Sequence, residues 1–268
     1  MSPPRSLRTL LAVLLLALGT SLTACGSDDD PSPTGAAAAG GSDPVVVSAA
    51  TSLKKALTAY GDAFDQGTVR ASFAGSDALA AQIRKGIRPD VFASANTKLP
   101  DALFAEGLVE QPVVFATNDL VLAVPAKDAT VASVDDLASS GTTVAIGAEG
   151  VPVGDYTRTV LGRLPAAQAK AILGNVRSNE PDVGGVVGKV ATGAVDAGFV
   201  YASDVRGSGG RIVAIELPAK LEPTVRYGVA VVTGAKNPTG AKAFVDGLLQ
   251  GRGADELRSA GFGAPPAS

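Results

Sequence analysis

The sequence predicts an α/β protein folded as two lobes, each a mainly parallel sheet flanked by helices. Three observations predict it. Short β-branched runs alternate with helical apolar patterns along most of the chain, the pattern of strand–helix–strand units. The series occurs twice, with a break near Asn118-Asp119. The last two helical patterns follow a single strand, so the chain is expected to return to the lobe in which it began. With 46% hydrophobic positions over 268 residues, there is enough apolar material for a core in both lobes.

Residues 1–24 read as an export signal. A short basic region with Arg5 and Arg8 leads into an apolar stretch that is too short and wrongly flanked for a spanning helix. It ends in Leu22-Thr23-Ala24-Cys25, which resembles the bacterial lipobox; that resemblance implies cleavage before Cys25 and lipidation of its sulfur. Residues 25–43 are rich in Gly, Ser, Asp, Pro and Ala and read as a flexible linker, with Asp28-Asp29-Asp30 as solvated charge. Two acyl chains hold a protein stably at a membrane surface, whereas one is marginal.

The folded part is expected from Pro44. Its first lobe takes a strand at Val45-Val46-Val47, a helix over 52–64, a strand over 69–73, a helix over 77–85, a strand over 90–93 and a helix over 98–106. Two apolar runs between Val113 and Val124 flank Asn118-Asp119. The second lobe takes a strand at Val144-Ala145-Ile146, helices over 155–164 and 183–192, and a strand over 197–201. A long strand over 225–232 precedes helices over 239–250 and 254–260. The expected boundaries are 44–121 with 229–268 for lobe I and 122–228 for lobe II. The stretches 120–125 and 225–232 are expected to form the hinge.

Composition removes most chemistry. The chain has no histidine, which excludes Ser-His and Cys-His nucleophile pairs and imidazole metal sites. Its single cysteine excludes a CxxC redox pair, a thiolate cluster and an internal disulfide. A formal charge of −3, with Lys and Arg scattered singly, gives no footprint for nucleic acid. Gly184-Gly185-Val186-Val187-Gly188-Lys189 has one residue too few for a phosphate-binding P-loop, and Val190 stands where a hydroxyl is needed. Asp135-Asp136, Glu149 and Asp155 read as surface charge. Ser52 or Ser76 as a nucleophile would need Lys54 or Lys55 as its base, which makes a serine hydrolase the weaker alternative.

What remains is a set of helix starts. Ala50-Thr51-Ser52, Gly75-Ser76-Asp77, Pro152-Val153-Gly154 and Asp182-Val183-Gly184 each place small or hydroxylic residues before a helix. The first N–H groups of a helix have no intrahelical acceptor, and the helix dipole favours an anion there. Taken singly, each serine reads as an N-cap, Tyr201 as a packed aromatic and Asp77 as a solvent-facing dipole partner.

Three first-lobe motifs, Ser48-Ala49-Ala50-Thr51-Ser52-Leu53, Phe73-Ala74-Gly75-Ser76 and Arg88-Pro89-Asp90-Val91-Phe92-Ala93-Ser94-Ala95, resemble bacterial molybdate-binding proteins. The later motifs Gly150-Val151-Pro152-Val153-Gly154, Pro181-Asp182-Val183 and Phe199-Val200-Tyr201-Ala202-Ser203-Asp204 are similar to that family in order and spacing. The likeness implies a two-lobed periplasmic-binding-protein fold of type II with its ligand in the interlobe cleft. It implies that the oxyanion is held by the Ser52 and Ser76 hydroxyls, the Val153 and Val183 backbone N–H groups and the Tyr201 hydroxyl. Ala50, Thr51 and Gly75 would line the same cavity. It further implies a molybdate or tungstate ligand, no cofactor, no metal other than molybdenum within the oxyanion, and no enzymatic activity. The implied partner is the membrane permease of a molybdate ABC transporter, served by a monomeric receptor anchored on the extracytoplasmic face. The alternative ligand is another oxyanion such as sulfate or phosphate.

Overall fold

A computed structural model describes residues 43–266. The expected signal, Cys25 and all but the last residue of the linker lie outside the described residues. The chain opens with β1 (Val45–Ala50), whose end tightens into a 3-10 turn at Thr51–Leu53 and runs into α1 (Lys54–Asp62). Then come β2 (Val69–Ala74), α2 (Ser76–Arg84), β3 (Val91–Ser94), α3 (Lys98–Ala105) and β4 (Val113–Asn118). After Asp119 the chain continues through β5 (Leu120–Pro125), β6 (Val144–Gly147), α4 (Pro152–Gly162), α5 (Ala166–Gly174), β7 (Val176–Glu180) and α6 (Val183–Ala191). It ends with β8 (Ala197–Tyr201), α7 (Ala202–Gly207), β9 (Ile212–Ile215), β10 (Val225–Val231), α8 (Pro238–Leu249) and α9 (Arg252–Ser259).

The strands form two five-stranded sheets, ordered β2-β1-β3-β10-β4 and β7-β6-β8-β5-β9. In the first, β1 runs parallel to β2 and β3, while β10 is antiparallel to β3 and β4. In the second, β6 runs parallel to β7 and β8, while β5 is antiparallel to β8 and β9. The two-lobed α/β architecture with mainly parallel sheets is as expected, and one strand in each sheet runs against the other four. Those two reversed strands come from the crossings. Each time the chain passes from one lobe to the other it enters the new sheet as an antiparallel strand, β5 on the way out and β10 on the way back.

Those two strands correct the expected hinge. The stretches 120–125 and 225–232 are not connectors, because each is hydrogen-bonded on both sides inside one sheet. The crossings are Asp119 and residues 216–224. Leu120 and Val121 therefore belong to lobe II, not lobe I, and Val225 to Gly228 belong to lobe I, not lobe II. The apolar runs were visible in the sequence, but which sheet receives a run is decided by pairing partners far along the chain.

Burial explains why these runs form central strands. Every residue of β3, β6 and β8 is buried, as a strand covered on both faces requires. Each fully buried Val, Leu or Ile contributes about 1.5–3 kcal/mol relative to exposure. Helices α8 and α9 fold back on lobe I, where Phe244 packs 4.6 Å from the Tyr60 ring and Tyr60 Oη donates to the Phe244 carbonyl. Buried Asp90 ties the sheet to this return: its carboxylate accepts from Val46 N at 2.8 Å and from Asn237 N at 2.9 Å. The Asp43 carbonyl accepts from the Asn237 side-chain amide, which fastens the start of the described chain to the same return.

Candidate functional site

The four helix starts converge. Ala50, Thr51, Ser52, Gly75 and Ser76 from lobe I, and Val153, Val183 and Tyr201 from lobe II, all line one cavity between the lobes, completed by Ala74, Ala95, Val151, Pro152 and Asp182. The cavity is small, with about 10 Å³ open to the centre of a water-sized sphere. The sequence folds this way because β1, β2, β6 and β7 each end at the cleft and hand the chain directly to a helix or turn. That is the carboxyl edge of the parallel strands, where open α/β sheets bind ligands.

On the lobe I side the donors are held in place. Ser76 is 1% exposed, and its Oγ accepts from Ala95 N at 3.1 Å. Ser52 is buried with its Oγ 3.0 Å from Tyr227 Oη. Neither serine makes a side-chain cap to its own helix, so the N-cap reading fails for both. The lobe II side offers backbone. Val153 and Val183 open α4 and α6, where N–H groups lack an i−4 acceptor. Pro152 at the first turn of α4 has no N–H to offer, which leaves Val153 as the leading donor of that helix. Asp182 is the charged residue in the lining. Its Oδ1 accepts from Gly185 N at 3.2 Å, an N-cap that points the carboxylate into its own helix.

Tyr201 differs from the two serines. It is 1% exposed, and its hydroxyl has no hydrogen-bond partner among the described residues. A buried unsatisfied hydroxyl costs about 1–3 kcal/mol, so an acceptor that enters the cavity recovers that cost. Burial, and next the neighbouring Tyr227, hold the Tyr201 phenol far above its ordinary range, so it remains a donor. Its ring packs edge-on to Tyr227 at 5.7 Å and to Tyr156 at 6.4 Å.

Two lobes meet closely around the cavity. A Cβ on Gly75 would lie 2.4 Å from the Pro181 carbonyl of lobe II, and one on Gly184 would lie 3.0 Å from Thr51 Cγ2 of lobe I. Gly75 therefore admits no side chain at this degree of closure, whereas at Gly184 the close atoms belong to side chains that can give way. Lys98 of lobe I and Asp155 of lobe II approach to 4.0 Å, but Lys98 is 80% exposed and such a pair is worth little.

Asp77 departs from its sequence reading. It does not line the cavity, and it does not face solvent with both oxygens: Oδ1 is buried beside Gly75 without a partner among the described residues. Sequence reasoning missed Tyr227, Asn118 and Asp204. Asp204 is half-buried with its carboxyl turned to the Tyr201 backbone, accepting from Tyr201 N at 3.0 Å. Desolvation pushes it from 3.8 up to about 7, with the Asp182 charge adding and the Tyr201 N–H opposing.

Residues 45–263 match the family model of the bacterial extracellular solute-binding proteins. The chain belongs to this family. It is 34% identical over 262 residues to the molybdate-binding protein ModA of Mycobacterium tuberculosis, covering 96% of this chain and 97% of that one. Among solved structures, the periplasmic molybdate-binding protein of Azotobacter vinelandii superposes with a TM-score of 0.74 at 22% identity, over 83% of this chain and all of that one. The sulfate-binding protein SubI of M. tuberculosis follows at 0.71 and 15% identity, over 82% of this chain and 86% of that one. The two scores are close, so backbone likeness gives the fold and leaves the anion to the residues of the site. Among the described residues, no cluster of three or more His, Cys, Asp or Glu could hold a metal ion, and no helix is long and apolar enough to cross a membrane.

Proposed function

We propose that this solute-binding protein captures molybdate, and tungstate with it, outside the cytoplasm and delivers it to a membrane ABC permease without covalent chemistry. The observation that carries the reading is the cavity itself: two buried serine hydroxyls, two helix N-termini and a tyrosine hydroxyl converge there, and among the described residues that hydroxyl has no partner and no Lys or Arg lines the cavity. Molybdate at neutral pH is a fully deprotonated dianion whose four oxygens accept hydrogen bonds and donate none, so neutral donors complement it. Fixed dipoles avoid the desolvation cost of a buried cation. Phosphate usually carries a proton and needs an acceptor. Sulfate has the charge and shape but shorter bonds, so cavity size disfavours it. The 34% identity to a molybdate-binding protein over nearly the whole chain supports the same choice.

Ser52, Ser76, Val153 N–H, Val183 N–H and Tyr201 are the proposed ligands, with Ala50, Thr51 and Gly75 as walls. Lipidation at Cys25, through residues 25–43 as tether, would hold the monomeric receptor at the extracytoplasmic face; fatty-acid labelling that Cys25→Ser abolishes is the check. The ligand is tested by a thermal-shift screen of the soluble form with molybdate, tungstate, sulfate, phosphate and chromate. A ligand at a hundred times its dissociation constant stabilises by about 2.7 kcal/mol, so molybdate and tungstate are expected to raise Tm strongly and sulfate far less. A larger shift with phosphate than with molybdate overturns the assignment.

A further inference from the structure

Between the cavity and the crossing at Asp119 runs a chain of buried polar groups. Ser52 Oγ lies 3.0 Å from Tyr227 Oη, Tyr227 Oη 3.5 Å from Asn118 Nδ2, and Asn118 Nδ2 2.8 Å from Ser203 Oγ on α7. Tyr227 is fully buried and Asn118 nearly so. The direction of every bond follows from one that has only one possible sense. The Asp119 N–H has a proton to give and nothing to accept with, so Asn118 Oδ1, 3.0 Å away, is its acceptor. This turns the amide nitrogen of Asn118 toward Tyr227 and Ser203, and an amide NH₂ only donates. Tyr227 Oη accepts from it and directs its single proton to its remaining neighbour, Ser52 Oγ. Burial keeps the Tyr227 phenol far above its ordinary range, so that proton stays in place. Ser52, accepting from Tyr227, is left with its own proton for the cavity. Ser76 reaches the same state by a shorter route, since its Oγ accepts from the Ala95 N–H.

We propose that Tyr227, oriented by Asn118, is a positioning residue that fixes Ser52 as a donor toward the ligand and so sets the site against oxyanions that carry a proton. The proposal rests on the oxyanion reading above. A serine free to rotate both donates and accepts, and would serve molybdate and hydrogen phosphate alike. With its orientation held by Tyr227, Ser52 offers a proton, and the hydroxyl of a protonated anion meets a donor where it needs an acceptor. Selectivity then comes from the group left unpaired in the wrong complex.

Two variants test the relay in opposite ways. Tyr227→Phe removes the donor and frees Ser52 to rotate. Asn118→Asp keeps the shape but replaces the donor by an acceptor; Tyr227 then gives its proton to residue 118, accepts from Ser52, and leaves Ser52 presenting a lone pair to the ligand. The full chain and both variants are titrated by calorimetry with molybdate and with inorganic phosphate at pH 8, where both are mainly dianions, so the added charge of Asn118→Asp acts on both alike and cancels in their ratio. The preference for molybdate over phosphate is expected to fall about tenfold in Tyr227→Phe, the worth of one hydrogen bond, and further in Asn118→Asp. A merely structural role would weaken both anions by one factor, and an unchanged preference in Tyr227→Phe overturns the relay even where Asn118→Asp fails to fold. Wild-type protein that binds neither anion overturns the oxyanion reading and the relay with it; wild-type protein that binds molybdate, with variants of unchanged preference, overturns the relay alone.

Discussion

The two walls of the cavity are built on different principles. Lobe I presents side-chain hydroxyls whose orientation is already fixed: Ser76 is held by the Ala95 N–H and Ser52 by Tyr227. Lobe II presents the open ends of α4 and α6 and a Tyr201 hydroxyl that has no partner. One wall is complete by itself, and the other is satisfied only by something that enters the cleft. Such an asymmetry couples binding to closure. Lobe I needs no ligand to keep its donors in place, while lobe II gains hydrogen bonds only once the cleft closes over an acceptor, which is the differential interaction that shifts a two-state equilibrium.

The comparison is broken most severely at Gly75, where the walls touch. A Cβ there would lie 2.4 Å from the Pro181 carbonyl, so Gly75→Val is expected to hold the lobes apart. Molybdate affinity should fall by about 100-fold or more, because only the small closed fraction binds. Small-angle scattering should show the radius of gyration of the variant unchanged by ligand, and ligand-dependent contraction at wild-type affinity would show that the walls do not need this contact.

Next come the lobe I serines. Ser76→Ala and Ser52→Ala should each weaken molybdate binding by about 1.5–3 kcal/mol, the usual worth of a hydrogen bond to a charged partner. They should differ without ligand. Ser76→Ala leaves the Ala95 N–H unpaired in a buried place and should lower the ligand-free Tm, whereas Ser52→Ala leaves a hydroxyl that still has Asn118 beside it. Equal ligand-free Tm values would argue against a prefixed Ser76.

Tyr201→Phe should act with opposite signs in the two states. Without ligand it removes a buried unsatisfied hydroxyl, so Tm should hold or rise; with molybdate it removes a donor, so affinity and the closed population should fall. A drop in both would mean that the hydroxyl is already satisfied inside lobe II.

The smallest expected effect is a pH dependence. Asp204 has its pKa raised from 3.8 to about 7 by desolvation first, so the folded state holds its proton more tightly than the unfolded chain. The resulting stability is fully present below about pH 4, declines as pH rises, and is lost above about pH 7. A bound dianion nearby favours the protonated carboxyl further, so molybdate affinity should also weaken as pH rises through 7. Asp204→Asn should flatten both profiles between pH 5 and 8, measured by thermal melts and by titration; unchanged slopes would assign them to other groups.

Much of this molecule was legible before folding. The alternation of β-branched runs with helical patterns gave the α/β class and the two lobes, because side-chain period is a local property of the chain. The helix starts were legible for the same reason, whereas the eight cavity residues were implied by the family resemblance, and they line one cavity. β7 (Val-Arg-Ser-Asn-Glu) and α5, which buries only Ile172, were not visible, since an edge strand and a surface helix carry little apolar signal.

Local pattern thus gave most of the strands and helices, and composition removed imidazole chemistry and left a single thiol. Which sheet receives β5 and β10, where the chain crosses between lobes, and the placing of Tyr227 and Asn118 behind Ser52 were set by long-range packing. These depend on pairings between segments up to 175 residues apart. A local pattern reports which face of a segment is apolar, but it carries no record of the partner that will cover it, and hydroxyl direction is set by that partner.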